Sequence, residues 1–247
     1  MKITLITVVY NADTFLKDCI QSVINQSYNE VEYIVIDGGS TDESVSIIEG
    51  FQEFIARFVS EKDEGLYDAL NKGIRLATGD IIGILNADDV LADENILKQV
   101  VDAFNQNDEI DGVYGNLNYI HPFSKKIIRI WKSKQANFLD IEKGWMPAHP
   151  TLYLKKELFM KYDSYALDMG TAADYDLILR FFHVHKISSI YLPILMVNMR
   201  VGGVSNQSLK SLLYALKYDY KALKRNKIPN PLTVLFRKKI AKLRQFK

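Results

Sequence analysis

Two adjacent carboxylates directly follow a buried strand in the middle of this 247-residue chain. The apolar run 81–85 predicts a strand buried on both faces, and it ends at Asn86, Asp88 and Asp89. Because open parallel sheets bind ligands at the carboxyl ends of their strands, adjacent acids there suggest a divalent cation with a phosphate on its far side. An Asx turn followed by a helix N-cap explains the same residues without a ligand, and the motif alone supports both interpretations equally.

Polar residues also follow three other predicted strands. Tyr10 and Asn11 follow the first strand, Asp37 the second and Asp63 the third, and each strand is followed by a helical pattern. This alternation predicts a parallel sheet with right-handed crossovers, which brings the carboxyl ends of the strands to one edge. Turn chemistry explains any one of these residues, but their convergence on one edge favours a ligand site.

The elements that position these residues predict an α/β fold with a mostly parallel sheet flanked by helices. Strands are predicted at 1–9, 31–36, 57–60, 81–85, 112–120, 126–131, 151–154 and 189–197, and helices at 13–25, 45–51, 66–77, 93–107 and 173–185. The strands 112–120 and 126–131 are expected to pair antiparallel. No Gly-x-Gly-x-x-Gly motif follows the first strand and no Gly-Lys-Ser/Thr loop occurs, so neither a dinucleotide site nor a P-loop is supported.

Five short segments resemble the family 2 glycosyltransferases of GT-A fold, and their order and spacing make the resemblance specific. They are ITVVYN at 6–11, VIDGGSTD at 35–42, GDI at 79–81, LNADD at 85–89 and ADYDL at 173–177. The resemblance covers residues 2–205. Asp63 and the segment GLYDALNKG at 65–73 are similar to the bacterial subgroup that builds capsule, lipopolysaccharide O-antigen or exopolysaccharide.

The resemblance implies a nucleotide-sugar donor site. Asp37 would accept a hydrogen bond from the nucleotide base, and the loop formed by Val9, Tyr10 and Asn11 would help to hold that base. Some family members carry an arginine where Leu70 stands here. Asp68 is a candidate to replace its contact; Asn71 is a second, although an ordinary helix-surface position is the preferred interpretation for Asn71.

The resemblance also implies a metal ion. Asp88 occupies the family's Asp-x-Asp position, with Asn86 in place of the first acid and Asp89 adjacent. Asp88 and Asp89 are expected to hold the ribose and a Mn²⁺ or Mg²⁺ ion, in an order that the sequence leaves open.

An inverting family implies direct displacement, in which one carboxylate takes the proton of the incoming acceptor hydroxyl. Asp174 matches the family's acidic position and is the expected base, with an N-cap role for Asp174 and the nearby Asp176 as alternatives. His149 is expected near the acceptor or the diphosphate. Arg200, in the glycine-containing loop 200–205, is expected over the diphosphate. A structural histidine and a plain turn are the respective alternatives.

Composition excludes several other classes of protein. The single cysteine, Cys19, permits neither an intrachain disulfide nor a cysteine-based metal site, and it suggests a reducing compartment. The apolar stretch 187–199 is interrupted by polar residues and proline, so it is not expected to span a bilayer. The run 3–9 is too short for the core of a signal peptide.

The C-terminal segment 208–247 is strongly basic. It carries nine lysines and three arginines against Asp219 alone, a net charge of +11, so the overall +1 leaves −10 for residues 1–207. Helices predicted at 208–225 and 232–246 are either a lid packed on the sheet, with solvated lysines, or amphipathic helices bound to an anionic bilayer. Nucleic acid is not expected, because the rest of the chain is acidic.

We therefore interpret the chain as a GT-A domain, residues 1–207, with a basic helical extension, residues 208–247. The leading hypothesis is a metal-dependent inverting glycosyltransferase that moves a sugar, from a UDP-sugar, to a lipid-linked or growing glycan. It would act in the cytoplasm, peripherally on the inner face of the cytoplasmic membrane. The alternatives are a non-catalytic membrane-associated subunit and a sugar-phosphate nucleotidyltransferase, although the latter would need a glycine-rich basic loop that residues 8–12 lack.

Overall fold

A computed structural model describes residues 1–202 and 209–243, which form a mixed α/β fold around one nine-stranded sheet. The parallel part has the order β3-β2-β1-β4, with the strands β1 (Ile3–Val9), β2 (Val31–Asp37), β3 (Arg57–Ser60) and β4 (Ile81–Ile84). Val9 pairs with Asp37 and Asp37 pairs with Ser60. The predicted polar strand ends therefore do lie along one edge of the sheet.

Helices cover both faces of this sheet, because its inner strands are apolar on both sides. They are α1 (Asp13–Ile24), α2 (Ser44–Glu49), α3 (Leu66–Leu76) and α4 (Ile96–Gln106). Ile3, Leu5 and Val9 join the core that contains α1 and α4, while Ile6 and Val8 join the core that contains α3. This alternation is the two-residue period of a strand buried on both faces.

The second part of the sheet is mixed. Its order continues from β4 as β8-β6-β9-β5, with β5 (Val90–Leu91), β6 (Gly112–Ile120), β8 (Tyr153–Lys155) and β9 (Ser189–Arg200), while β7 (Ile127–Trp131) pairs with β6 alone. The expected antiparallel pairing of β6 with β7 is confirmed. The two-residue β5 was not predicted, and its pairing with β9 brings the end of β9 beside Asp89.

Two short helices were also not predicted from the sequence, α5 (Phe138–Glu142) and α6 (Lys156–Tyr162). The capping box of α5, Asn137 with Asp140, is visible in the sequence, but a helix of five residues shows too little apolar periodicity to predict. The predicted helix 173–185 is present as α7 (Ala173–Ile178), which continues as a π-helical segment, Leu179–Val184.

The C-terminal helices, α8 (Leu209–Arg225) and α9 (Pro231–Leu243), pack on the rest of the fold. Ala222 and Leu223 of α8 and Val234 of α9 are buried in the same core as α7. Lys221 and Arg225 both form ion pairs with Asp168. Among the residues described, no helix is both long and apolar enough to cross a bilayer.

A buried carboxylate joins the amino-terminal ends of three parallel strands. Glu32 at the start of β2 is only 4% exposed, and it accepts hydrogen bonds from Thr4 Oγ1 on β1 and from Thr78 N and Oγ1, each at 2.6 Å. Lys2 Nζ lies 3.2 Å away. Burial alone would raise the pKa of Glu32, but these donors stabilise the charged form and lower the pKa to about 2.

We expect Glu32→Gln to lower the free energy of unfolding by about 2 kcal/mol at about pH 7, because a depressed carboxylate pKa stabilises the folded state above the unfolded-state pKa. This difference between wild type and variant should shrink as the pH falls from about 4.5 toward 2, where Glu32 becomes protonated in the folded protein as well. Urea unfolding of both proteins across this pH range measures it. A difference that does not change with pH would contradict the assignment.

Candidate active site

At the carboxyl end of β4, Asp89 is held inside the protein. Its side chain is 0% exposed, and Asn86 Nδ2 donates to Asp89 Oδ2 at 2.8 Å while the backbone N of Arg200 donates to Asp89 Oδ1 at 3.2 Å. Burial and the adjacent charge of Asp88 raise the pKa of Asp89 well above its ordinary range. Both oxygens of Asp89 are therefore engaged within the fold.

Asp88 is the carboxylate of this pair that remains available. It is partly exposed, and its side-chain oxygens accept no hydrogen bond from any other residue within the described ranges. Burial raises the pKa of Asp88, and the charge of Arg200 acts in the opposite direction. Of the two acids that the sequence left open as metal ligands, only Asp88 has side-chain oxygens without a donor among the described residues.

Arg200 has a different environment from the one expected. The side chain is 3% exposed, and its guanidinium donates to Asp18 Oδ2 at 2.6 Å and to the carbonyl oxygen of Asp88 at 2.7 Å. The guanidinium carbon also lies 4.5 Å from the centre of the Phe15 ring. These contacts hold the 88–89 turn from beneath, so the structure does not support a guanidinium that reaches over the diphosphate. The rest of the glycine-containing loop, 203–205, lies outside the described residues.

The expected base-binding residues converge at the ends of β1 and β2. The carboxylate of Asp37 is buried, and it accepts hydrogen bonds from the backbone of Gly39, from the backbone and hydroxyl of Ser40, and from the hydroxyl of Ser60. A contact between Asp37 and a nucleotide base would have to replace one of these donors, and it stays a prediction.

The Val9–Asn11 loop lies against the loop that Asp37 organises. The carbonyl of Val9 accepts from Gly38 N at 2.8 Å, and Asn11 Oδ1 accepts from Thr41 N at 2.9 Å. Tyr10 between them is 66% exposed, so its ring is free to contact a planar group. The structure thus brings Val9, Tyr10 and Asn11 together with Asp37, as predicted.

The two candidates on α3 have structural contacts. Asp68 accepts a hydrogen bond from Glu64 N and lies 3.5 Å from Lys72, and a donor contact by Asp68 stays a prediction. Asn71 is buried and binds both backbone groups of Tyr165, donating to its carbonyl at 2.8 Å and accepting from its N–H at 2.9 Å. The interpretation of Asn71 as a surface residue was wrong, because this pair of bonds lies inside the protein.

The structure separates Asp174 from Asp176. Asp174 lines an open cavity of about 270 Å³, and its Oδ1 accepts from the hydroxyl of Tyr67 at 3.4 Å. Asp176 is 1% exposed, accepts from Asn226 Nδ2 at 2.8 Å and lies 3.7 Å from Arg180. The N-cap of α7 is Ala172, so Asp174 does not serve as a cap.

His149 lies in the electrostatic field of Asp174. Burial lowers the pKa of His149, while the charge of Asp174 acts in the opposite direction, and the imidazole is therefore neutral near neutral pH. Its Nε2 is buried without a hydrogen-bond partner among the described residues, and the ring packs edge-on to Tyr165. An unpartnered buried nitrogen is what a ligand contact would satisfy.

Sequence reasoning missed three aromatic or basic residues of this site. Tyr67 contacts Asp174, and Arg129 stacks 4.3 Å from the centre of the Tyr119 ring. Burial raises the pKa of Tyr119, and the negative charges of Asp89 and Asp174 raise it further. Tyr119 therefore lies within electrostatic range of both carboxylate groups of the site. The antiparallel pairing predicted for residues 112–120 and 126–131 could have indicated that Tyr119 and Arg129 share one face of the sheet. It could not have indicated which residues of other elements lie beside them.

The donor set fits a divalent cation that is shared with a substrate. Within 1–202 and 209–243, no cluster of three or more His, Cys, Asp or Glu side chains forms a complete metal cage. Mg²⁺ and similar ions, however, commonly bind one or two carboxylates and take their remaining ligands from water and substrate phosphates. The free carboxylate of Asp88, supported by a buried Asp89, matches that second arrangement.

Comparison with known proteins gives a consistent result. Residues 4–163 match the family model described as glycosyl transferase family 2. A "PGL/p-HBAD biosynthesis glycosyltransferase" of Mycobacterium bovis is 27% identical over 203 residues, which are 79% of this chain and 76% of the relative. An uncharacterized glycosyltransferase of Mycobacterium tuberculosis is 31% identical over 189 residues, covering 72% of this chain and 68% of the relative.

Solved structures share the fold at low sequence identity. Staphylococcus aureus TarS 1-349 in complex with UDP-GlcNAc aligns over 92% of this chain with a TM-score of 0.72 and 15% identity. This chain spans 65% of that fragment and 39% of the longer TarS chain. The mannosyltransferase PcManGT of Pyrobaculum calidifontis, in complex with GDP-Man and Mn²⁺, aligns over 96% of this chain and 68% of its own, with a TM-score of 0.67 and 19% identity. The α/β GT-A fold class is confirmed.

We expect Asp176→Ala to lower the free energy of unfolding by about 1 to 3 kcal/mol, because the buried amide of Asn226 loses one of its two acceptors and Arg180 loses its buried ion-pair partner. The matched variant Asp174→Ala should cost less, about 1 kcal/mol, because the carboxylate of Asp174 lines a cavity and accepts only a local hydrogen bond from Tyr175 N, at 2.7 Å, and a long one from Tyr67, at 3.4 Å. Urea unfolding followed by circular dichroism measures both values. Equal losses in the two variants would contradict the separation of roles.

Proposed function

The chain belongs to glycosyltransferase family 2 and is a glycosyltransferase, and from this premise we propose that it is an inverting, metal-dependent enzyme. It transfers a sugar from a nucleotide-sugar, a UDP-sugar, to a lipid-linked or growing glycan in surface polysaccharide biosynthesis. One observation supports the proposal: Tyr119, which lines the cavity of Asp174, lies within electrostatic range of both Asp174 and Asp89, the residue next to Asp88.

The donor binds across the ends of β1, β2 and β4. The exposed ring of Tyr10 and the backbone of Val9 and Asn11 contact the base, and Asp37 accepts from it in exchange for one of its loop donors. Support for a nucleotide-sugar comes from structural neighbours in complex with UDP-GlcNAc, UDP and GDP-Man.

Asp88 holds the cation, while Asn86, Asp89 and Arg200 fix the turn that carries it. A Mn²⁺ or Mg²⁺ ion bound there would stabilise, as a Lewis acid, the negative charge that develops on the leaving diphosphate. Support for metal use comes from the neighbour bound to both GDP-Man and Mn²⁺.

Asp174 acts as the general base. It takes the proton of the acceptor hydroxyl while that oxygen bonds to the anomeric carbon and the bond from this carbon to the diphosphate breaks. The hydroxyl of Tyr67 orients the carboxylate, and the neutral His149 offers its unpartnered Nε2 to the acceptor or the diphosphate.

The acceptor is held at a membrane surface by the segment 208–247, whose helices α8 and α9 pack on the rest of the fold with one face. Both helices expose large apolar side chains, and on α9 three of them, Leu232, Phe236 and Ile240, share the face opposite Val234 and Lys238. The exposed apolar side chains of α8 are Leu212, Leu213, Tyr214 and Tyr220. Lys210, Lys217, Arg237 and Lys239 are exposed on the same two helices. An apolar face bordered by cations matches an anionic bilayer, here the inner face of the cytoplasmic membrane.

We expect UDP to bind the wild type only when Mn²⁺ is present, and at least about tenfold more weakly to Asp88→Ala, because the cation loses its protein ligand. Asp174→Asn is the matched control: it should bind UDP normally and yet lose transfer or hydrolysis of a UDP-sugar by about 10²-fold or more. Calorimetry with a panel that includes UDP and GDP, together with a sugar-release assay, measures these effects. Binding that ignores both the metal and Asp88 would exclude the proposed donor site.

We expect the double variant Leu232→Ser/Phe236→Ser to weaken salt-sensitive sedimentation with phosphatidylglycerol vesicles by roughly tenfold or more, because each exposed side chain loses its burial in lipid. Met160→Ser, which removes an equally exposed apolar side chain from α6, is the control and should sediment like wild type. Point variants are preferable to truncation here, because α8 is part of the core. Equal sedimentation of all three proteins would refute membrane binding by this face.

A further inference from the structure

The cavity beside Asp174 is closed on one side by the C-terminal helices. Asp219 of α8 and Lys238 and Ala241 of α9 line it, opposite residues of β6 and β7. The segment 208–247 thus contributes side chains to the immediate surroundings of the proposed base, although it lies outside the part of the chain that matches the family model.

Packing fixes these side chains in place. Lys238 Nζ lies 3.0 Å from Asp219 Oδ2 and 3.4 Å from the centre of the Tyr175 ring. One turn earlier on α9, Val234 is buried against Gly144, where an added Cβ would lie 3.1 Å from Val234 Cγ1. Gly144 has a φ of +91°, which also favours glycine. The close packing of Val234 against the backbone of Gly144 therefore fixes the position of α9 beside the cavity.

The cavity is lined by aromatic side chains and by equal numbers of positively and negatively charged side chains. Four aromatic rings line the cavity, those of Tyr119, Trp131, Trp145 and Tyr175. Two cations, Arg129 and Lys238, accompany two carboxylates, Asp174 and Asp219. Balanced charge offers no net attraction to a phosphate. A pyranose, in contrast, presents C–H groups to aromatic faces and hydroxyls to paired donors and acceptors.

We propose that this cavity binds the acceptor as a neutral sugar ring, and that Lys238 and Asp219 are residues that determine which sugar is accepted. The proposal rests on the assignment of Asp174 as the base of the proposed function. The paired side chains bind neighbouring hydroxyls of the ring, with Lys238 donating and Asp219 accepting. The hydroxyl of Tyr175, buried and without a partner among the described residues, adds one more hydrogen-bonding group at the same wall.

The chain contains two tryptophans, Trp131 and Trp145, and both line this cavity, so tryptophan emission reports its occupancy directly. We expect at least one member of a panel of methyl glycosides to change the emission saturably when UDP and Mn²⁺ are present. Lys238→Met and Asp219→Asn should each weaken that binding by about tenfold, the usual loss for a hydrogen bond to a charged group. UDP affinity by calorimetry should stay at the wild-type value.

Two further variants serve as controls, one for the loss of a positive charge and one for misfolding. Lys239→Met removes the same charge from the neighbouring, exposed position of α9 and should bind the glycoside like wild type. Lys238→Arg retains the ion pair and should preserve a measurable part of the binding, which separates loss of a contact from misfolding.

The outcomes divide clearly. The proposal would be overturned if no glycoside changed the tryptophan emission, or if only farnesyl phosphate, a probe for a lipid phosphate, changed it. Equal effects of Lys238→Met and Lys239→Met on glycoside binding would also overturn it. If UDP binding persists in that case, the donor site stands and only the acceptor assignment fails. If the wild type itself shows no Mn²⁺-dependent binding of UDP, the proposed function is refuted.

Discussion

Burial of the Asp89 carboxylate constrains the whole active-site edge. A carboxyl group that is removed from water needs partners for both oxygens, and Asp89 finds them in the side chain of Asn86 and the backbone of Arg200. One donor lies three residues away and the other lies 111 residues along the chain. The pairing of β9 with β5 therefore stabilises the turn after β4, and with it the position of Asp88.

The same logic explains why Arg200 is buried. Its backbone satisfies Asp89 and its guanidinium satisfies the carbonyl of Asp88, so one residue holds the turn from two directions. Asp18 on α1 balances the charge of the guanidinium. The site thus joins the parallel part of the sheet, its mixed part and the first helix through hydrogen bonds of Arg200 to Asp89, Asp88 and Asp18. Its rigidity comes from residues far apart in sequence.

The sequence was sufficient for features that depend on near neighbours. Apolar runs and the polar residues that end them predicted every parallel strand, and with them the edge that gathers Tyr10, Asn11, Asp37 and Asp88. Features that depend on distant partners were not accessible. Asp174 and Asp176 are equivalent in a helical pattern until Asn226 binds one of them, and Asn71 resembles a surface residue until Tyr165 covers it. The basic tail had two possible environments, and the sequence could not show which residues of α9 pack on the fold, as Val234 does.

The two faces of α9 have a thermodynamic consequence. Val234 and Lys238 point into the fold and the cavity, whereas Leu232, Phe236 and Ile240 point outward from the same rigid helix. Any displacement of α9 therefore alters both surfaces together. If occupation of one face favours a particular seating of the helix, occupation of the other must favour the same seating by an equal free energy. Lipid and acceptor would then be reciprocal effectors of one another, coupled through a single element of 13 residues.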